Sequence, residues 1–344
     1  MPAKTLTIAG GVLSLIAAVA IAPAQAAPRT KAAATAAEPG PGPQLTAEAR
    51  SKGLCEAVEH RIFVEHFVGT ECIAYYATPG QPTVKTTVMY FNGDVPDEFF
   101  RRRGALEAHQ KELNATARFL AERQGVRIVF VARPGTFGSS GDHDLRGERR
   151  EMMVMNAAVD AIKARLGLTD LVLAGQSRGS QVAAALLTMG RRDVRCAVLG
   201  SGSLFTVENE RRFQLSKGRQ VSEVSLRNIF FDPSAYLAEI VGDAGRRIFI
   251  LGDRADTITP FDQQMAFGQR LKELGHHAVT FEIRAQGREM HGATHLALPA
   301  AAMCAKGASD EQIAWIVSPP EKPAPAAQVV NPGTRAMAGE LPPG

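Results

Sequence analysis

Between Thr86 and Ala285 short apolar runs alternate with helical stretches, and this rhythm restricts the fold more than any other feature of the chain. The runs TTVMYFNGD, VRIVFVARPG, DLVLAGQ, RCAVLGSG, RIFILGD and AVTFEIRA read as buried strands. Helical periodicity fills Ala105 to Arg123, Glu148 to Leu166, Gly179 to Met189 and Phe261 to Leu274. Such alternation implies an α/β fold with a mostly parallel sheet and helices on both faces. Ahead of it, RIFVEHFV and ECIAYYAT flank Gly69-Thr70 and predict an antiparallel hairpin at a sheet edge. No fixed-period repeat is visible, which sets solenoids aside.

One connection is too long to be plain. More than forty residues separate Gly200 from Arg247, including the polar VENERRFQLSKGRQ and the aromatic NIFFDPSAYL. The segment at about 203–245 reads as a small lid, or else as one sheet-covering helix followed by an irregular loop.

The ends of the chain have a different character. Lys4, the apolar Leu6 to Ile21 and the small residues Ala24-Gln25-Ala26 form a cleavable export signal over 1–26. An uncleaved anchor is the alternative, but the apolar stretch is shorter than the ~20 residues that a bilayer span needs. Residues 27–45 form a flexible leader with Pro28, Pro39, Pro41 and Pro43, and 318–344 form a proline- and alanine-rich tail. The expected folded unit is therefore 46–317, in a secreted or periplasmic protein with no membrane association after cleavage.

Cys55, Cys72, Cys196 and Cys304 are an even number in an exported chain, where disulfides form. Three pairings are possible. Spacing favours Cys55 with Cys72, which leaves Cys196 with Cys304; the cysteines are not clustered as zinc ligands would be. The formal charge of +4 is scattered, and Arg101–Arg103 and Arg149-Arg150 have no aromatic platform between them, so nucleic-acid binding is not expected. Neither a metal nor a cofactor is indicated. His276-His277 reads as a helix end marked by Gly275, and His60, His66, His109 and His143 read as structural or surface residues.

Gly175-Gln176-Ser177-Arg178-Gly179 stands where an apolar strand gives way to an alanine-rich helix. This G-x-S-x-G pattern at a strand-to-helix turn holds a serine on a strained tip, with glycines where any side chain would meet the neighbouring strand or helix. A serine hydroxyl needs a base, and a neutral imidazole needs an acid to fix its tautomer. ILGDRADTITP offers Asp253 and Asp256 just after a strand, and REMHGATHLAL offers His291 and His295 after the last strand. The order is Ser, Asp, His.

From Val84 to Cys304 the chain resembles the α/β-hydrolase superfamily. YFNGD is similar to the strand that ends in an oxyanion turn, with Asn92 where histidine is usual, and ARPGTFGSSGDH is similar to the segment after the fourth strand. The resemblance implies Ser177 as nucleophile. It selects Asp256, four residues before Pro260, as the acid and His295 as the base, with Asp253 and His291 as second choices. It also implies an oxyanion hole from the amide of Arg178 and that of Asp94 or Gly93, with the Asp94 carboxylate turned away from the developing anion.

The implied function is a monomeric serine hydrolase acting on a small-molecule ester or a short peptide, the ester being preferred. Secreted aminopeptidase-like members of the superfamily are similar in their export signal and in a cysteine following the histidine loop. A peptidase that trims N-termini would hold the free amine on a lid carboxylate such as Glu208, Glu210 or Glu239. A non-catalytic binding or scaffold protein on the same fold would leave Ser177, Asp256 and His295 as coincidences.

Overall fold

The computed structural model describes residues 51–67, 69–79, 82–95, 104–287 and 289–318. The residues read as an export signal (1–26) and leader (27–45), Arg101–Arg103 and residues 319–344 of the expected tail lie outside the described residues.

The apolar runs become strands β1 (Arg61–His66), β2 (Gly69–Ala77), β3 (Thr87–Phe91), β4 (Ile128–Val131), β5 (Leu171–Gln176), β6 (Val194–Gly200), β7 (Arg247–Gly252) and β8 (His277–Glu282). They form one eight-stranded sheet in the order β1-β2-β4-β3-β5-β6-β7-β8. The first strand pairs antiparallel with β2, and β2 antiparallel with β4; from β4 to β8 every pairing is parallel. The hairpin expected from the sequence is present with one correction. Gly69-Thr70 is the start of β2 and not the turn, because Gly69 pairs with His66 and Thr70 with Glu65.

Successive side chains of a strand point to opposite faces, so each central strand feeds two cores. Met89, Leu173, Leu199 and Ile250 face one side, where α3 (Arg149–Leu166) contributes Met155 and Val159 and α4 (Arg178–Thr188) contributes Val182 and Leu186. Val88, Val172, Val198 and Phe249 face the other, covered by α2 (Ala105–Gln124), α8 (Thr294–Ala305) and α9 (Asp310–Val317). Both faces are thus dry, which is why the parallel strands are apolar throughout rather than alternating.

The close fit of α8 depends on small residues. Ala297, Ala300, Ala301 and Ala302 are fully buried, and a Cβ on Gly200 would lie 3.0 Å from that of Ala293. Tyr90 on β3 is hydrogen-bonded to Thr294 at the start of this helix, hydroxyl to hydroxyl, at 2.7 Å. A disulfide joins Cys196 on β6 to Cys304 on α8, and a second joins Cys55 on α1 (Lys52–Glu56) to Cys72 on β2.

The long connection between β6 and β7 holds helices α5 (Thr206–Ser216) and α6 (Glu223–Ile229) and two short 3-10 turns, Pro233–Ala235 and Leu237–Glu239. It is thus more regular than one helix with a loop. Helix α7 (Phe261–Glu273) then packs between β7 and β8. His277 corrects another expectation. It opens β8, and its Nε2 lies 2.6 Å from Asp310, so it pairs with a carboxylate and does not cap the helix that ends before Gly275. No described helix is long and apolar enough to cross a membrane.

Candidate active site

The turn from β5 into α4 is sharp. Ser177 has φ 56° and ψ −121°, a combination that costs a non-glycine residue free energy and persists only where the surroundings impose it. The surroundings here are the two glycines. A Cβ on Gly175 would stand 2.3 Å from the Gly179 carbonyl carbon, and one on Gly179 would stand 2.1 Å from the Phe91 carbonyl oxygen. Strand, turn and helix can therefore close only with hydrogen at both positions. The turn is also held by hydrogen bonds, from the Ser177 amide to Gly200 O at 2.9 Å and from the Ser203 amide to Ser177 O at 3.2 Å.

The loop after β7 carries both candidate acids, and they have different tasks. Asp253 accepts from the amides of Ala255 at 2.8 Å and Ala285 at 2.7 Å, so its two oxygens stitch backbone. Asp256 accepts from the amides of Ile258 at 2.8 Å and Thr259 at 2.9 Å through Oδ1, and its Oδ2 lies 2.8 Å from His291 Nδ1. The Asp256 side chain is fully buried and that of His291 is 18% exposed. Orienting the imidazole through Nδ1 leaves Nε2 as the working atom, and that nitrogen is buried with no hydrogen bond among the described residues.

This arrangement corrects the expectation that His295 faces the acid. His295 is the second residue of α8 and is exposed at the surface. Burial of part of its ring lowers its pKa, against hydrogen bonds with the backbone of Gly292 and Arg284 that raise it. His291 instead ends a short hairpin in which Gln286 and Gly292 exchange amide-to-carbonyl bonds at 2.9 and 2.8 Å. Met290, with φ 50°, supplies the reversal just before it. The Thr257 amide donates to Glu289 O at 3.1 Å, which fastens the acid loop to the histidine loop.

The turn after β3 lies against the serine: a Cβ on Gly93 would stand 3.2 Å from Ser177 Cβ. Next to it, Asp94 accepts from Arg133 Nη1 at 2.8 Å and is ion-paired with Arg146 at 3.2 Å and Arg178 at 3.7 Å. Its side chain is 34% exposed, and although the surrounding protein removes part of its hydration, Arg133 and Arg178 outweigh that and hold the carboxyl below its usual range. The carboxylate is thus directed toward three guanidinium groups. Arg133 itself is fully buried and donates from Nε to Glu151 at 2.7 Å, whose other oxygen accepts from the Gly147 amide at 2.5 Å. Burial alone would lower the Arg133 pKa; Glu151 and Asp94 more than reverse that, so the guanidinium stays charged. Among the described residues no group of acids, cysteines and histidines could hold a metal ion.

No protein-family model matches the chain, and no curated protein is significantly similar to it. Solved structures do match. Est1E from Butyrivibrio proteoclasticus superposes with a TM-score of 0.50 at 14% identity, over 74% of this chain and 100% of that one. The chain has the α/β-hydrolase fold. An acylaminoacyl peptidase from Pyrococcus horikoshii matches with a TM-score of 0.47 at 14% identity, over 71% of this chain but only 39% of the peptidase. The Pyrococcus furiosus esterase Pf2001 matches with a TM-score of 0.46 at 14% identity, over 64% of this chain and 80% of the esterase.

In this fold the segment after β6 is tied to the serine turn. Arg178 reaches Glu210 on α5 at 3.5 Å, and its guanidinium lies 5.9 Å from the Phe230 ring centroid. Gln181 Nε2 on α4 donates to Phe231 O at 2.6 Å. The acids of this segment are largely occupied. Glu208 takes both contacts from Arg211, at 2.8 and 2.9 Å, Glu210 also accepts from Gln214 at 2.8 Å, and Glu239 is exposed on its 3-10 turn.

Two further residues belong to the candidate site that sequence reading alone passes over. Gln176 lies inside the pentapeptide and donates from Nε2 to His291 O at 3.0 Å. Thr259, 2% exposed, brings its hydroxyl within 2.9 Å of Asp256 Oδ2 and 3.4 Å of His291 Nδ1. The signal for both is position, one beside the serine and one between Asp256 and Pro260. Their contacts with His291 span 115 and 32 positions of the chain, and only the fold reveals them.

Proposed function

We propose that this protein is an exported serine hydrolase that cleaves small carboxylic esters through an acyl-enzyme, with Ser177 as nucleophile, His291 as base and Asp256 as acid. The observation that carries this reading is the 2.8 Å bond from His291 Nδ1 to Asp256, with Nε2 lacking a partner among the described residues, in a fold where Gln176, next to the strained Ser177, donates to His291 O at 3.0 Å. His291 Nε2 takes the Ser177 proton as Oγ attacks the ester carbonyl. The tetrahedral oxyanion is met by the amides of Arg178 and of the Gly93-Asp94 turn, and such preset donors commonly contribute the largest catalytic effect. The imidazolium then protonates the departing alkoxide. Water, deprotonated by the same nitrogen, releases the carboxylic acid and restores the serine.

The three guanidinium groups around Asp94 support the oxyanion role of its turn, since they draw the carboxylate to themselves while the backbone amide stays available. The ester reading is favoured over trimming of free N-termini because Glu208 and Glu210 already have cationic or amide partners. In this account the 203–245 segment is a lid, residues 1–26 are removed on export, 27–45 and 318–344 flank the catalytic domain, and the mature monomer works in the periplasm or outside the cell. Two disulfides are consistent with that compartment.

An active-site-directed fluorophosphonate tests the proposal. It labels Ser177 in the wild type, as mapped by mass spectrometry, and leaves Ser177→Ala unlabelled and inactive on p-nitrophenyl acetate. A scaffold protein on the same fold takes no label, and a Ser177→Ala protein with near-normal turnover removes the mechanism. Aminoacyl p-nitroanilides, measured in parallel, are hydrolysed poorly if the ester reading is right.

A further inference from the structure

We infer that Thr259 is a positioning residue for this reaction, a hydroxyl crosspiece that fixes the acid and the base relative to the nucleophile. The inference rests on the serine hydrolase reading above and adds a residue to it.

The connections run atom by atom. The Ser177 amide donates to Gly200 O at 2.9 Å, at the end of β6. The next carbonyl, Ser201 O, lies 3.1 Å from Thr259 Oγ1, and Ser201 has φ 41°, a left-handed conformation uncommon for serine. The same Oγ1 lies 2.9 Å from Asp256 Oδ2, the oxygen that also accepts from His291 Nδ1 at 2.8 Å. Nucleophile, β6 terminus, threonine, acid and base thus form one connected chain. Its middle members are buried, Thr259 at 2%, Asp256 at 6% and Ser201 at 0% exposure.

A hydroxyl has one hydrogen to give. It is shared between the Ser201 carbonyl and the Asp256 carboxylate, with the charged acceptor taking the stronger interaction. Two consequences follow. The restraint on Asp256 Oδ2 fixes the direction in which His291 presents Nε2. The donated hydrogen also withdraws charge from the carboxylate, so the carboxylate stabilises the imidazolium less than an undecorated one would. Asp256 is the acid in ionic contact with His291 among the described residues; nearby Arg254 pairs with Glu282, and Asp253 is spent on backbone amides.

The test compares Thr259→Val, which keeps the shape and removes the hydroxyl, with Thr259→Ser, which keeps the hydroxyl. Steady-state hydrolysis of p-nitrophenyl acetate is measured from about pH 5 to 9, across the range in which histidine titrates. Thr259→Val is expected to lose about tenfold in kcat with KM within about twofold, the size of a lost hydrogen bond to a charged group. The acid limb of its kcat/KM profile moves to higher pH, because a more basic Asp256 holds the His291 proton more tightly. Thr259→Ser restores both the rate and the limb. Should valine prevent folding, Thr259→Ala gives the same comparison, and fluorophosphonate titration counts the folded sites in each variant. A Thr259→Val or Thr259→Ala protein with wild-type kcat and an unmoved limb overturns the inference, as does Thr259→Ser behaving like valine. An inactive Ser177→Ala beside an unaffected Thr259→Val removes the crosspiece alone; an active Ser177→Ala removes the underlying reading.

Discussion

Gln176 donates from Nε2 to the carbonyl of His291 at 3.0 Å, so the residue before the serine holds the backbone of the residue that faces the acid. The serine turn and the histidine loop are 115 positions apart in sequence, and this single bond spans them. A side chain at the second position of the pentapeptide is therefore part of the site's framework and not a spacer.

The two acids after β7 should separate cleanly in activity. Asp256→Asn keeps the shape but removes the charge that fixes the imidazole tautomer, and kcat on p-nitrophenyl acetate should fall by about a thousandfold or more. Asp253→Asn disturbs only bonds to the Ala255 and Ala285 amides, and its main effect should be on stability. Measuring kcat for both decides the matter; a larger loss in Asp253→Asn would mean that the acid has been assigned wrongly.

Asp94 makes stability depend on acid. Its native carboxyl titrates below the unfolded value of about 3.9, so its ion pairs stabilise the fold fully above that value. That contribution is lost as the pH falls through the lower native value. Asp94→Asn keeps the backbone amide and should lower the urea midpoint at about pH 7, with a smaller deficit at about pH 3, below the unfolded value. Urea melts at both pH values check this, and an equal deficit at each would contradict the ion-pair account.

The Cys196–Cys304 disulfide, with a sequence separation of 108, ties β6 to the helix that follows the histidine loop. Chain entropy assigns it about 4 to 5 kcal/mol, against about 3 kcal/mol for Cys55–Cys72 with its separation of 17. Paired Cys→Ala variants should show this order in chemical denaturation. The Cys196/Cys304 pair should also lose activity earlier on heating, and an equal loss of stability in both would count against the loop-length argument.

Much of this was legible from residue patterns, for identifiable reasons. The parallel strands are buried on both faces, so TTVMYF and LVLAGQ are apolar along their length and stand out against their helices. The serine turn was equally plain, since Gly175 and Gly179 are required by contacts that no side chain permits. The choice of histidine was not. His291 and His295 are four residues apart, and which of them meets Asp256 is decided by backbone that leaves no compositional trace. The positive φ of Met290 and the Gln286–Gly292 bridge turn His291 inward, while the start of α8 at Thr294 sends His295 to the surface. The bonds from Gln176 to His291 O and from Thr259 to Ser201 O were hidden in the same way, because their partners lie 115 and 58 positions away.

The histidine comparison tests the central claim most directly. Steady-state kcat/KM for p-nitrophenyl acetate is measured for His291→Ala and His295→Ala alongside the wild type. His291→Ala should fall by about a thousandfold or more, as expected when the base of a serine triad is removed, and His295→Ala should stay within about threefold of wild type. Near-normal turnover in His291→Ala, or a collapse confined to His295→Ala, would contradict the account.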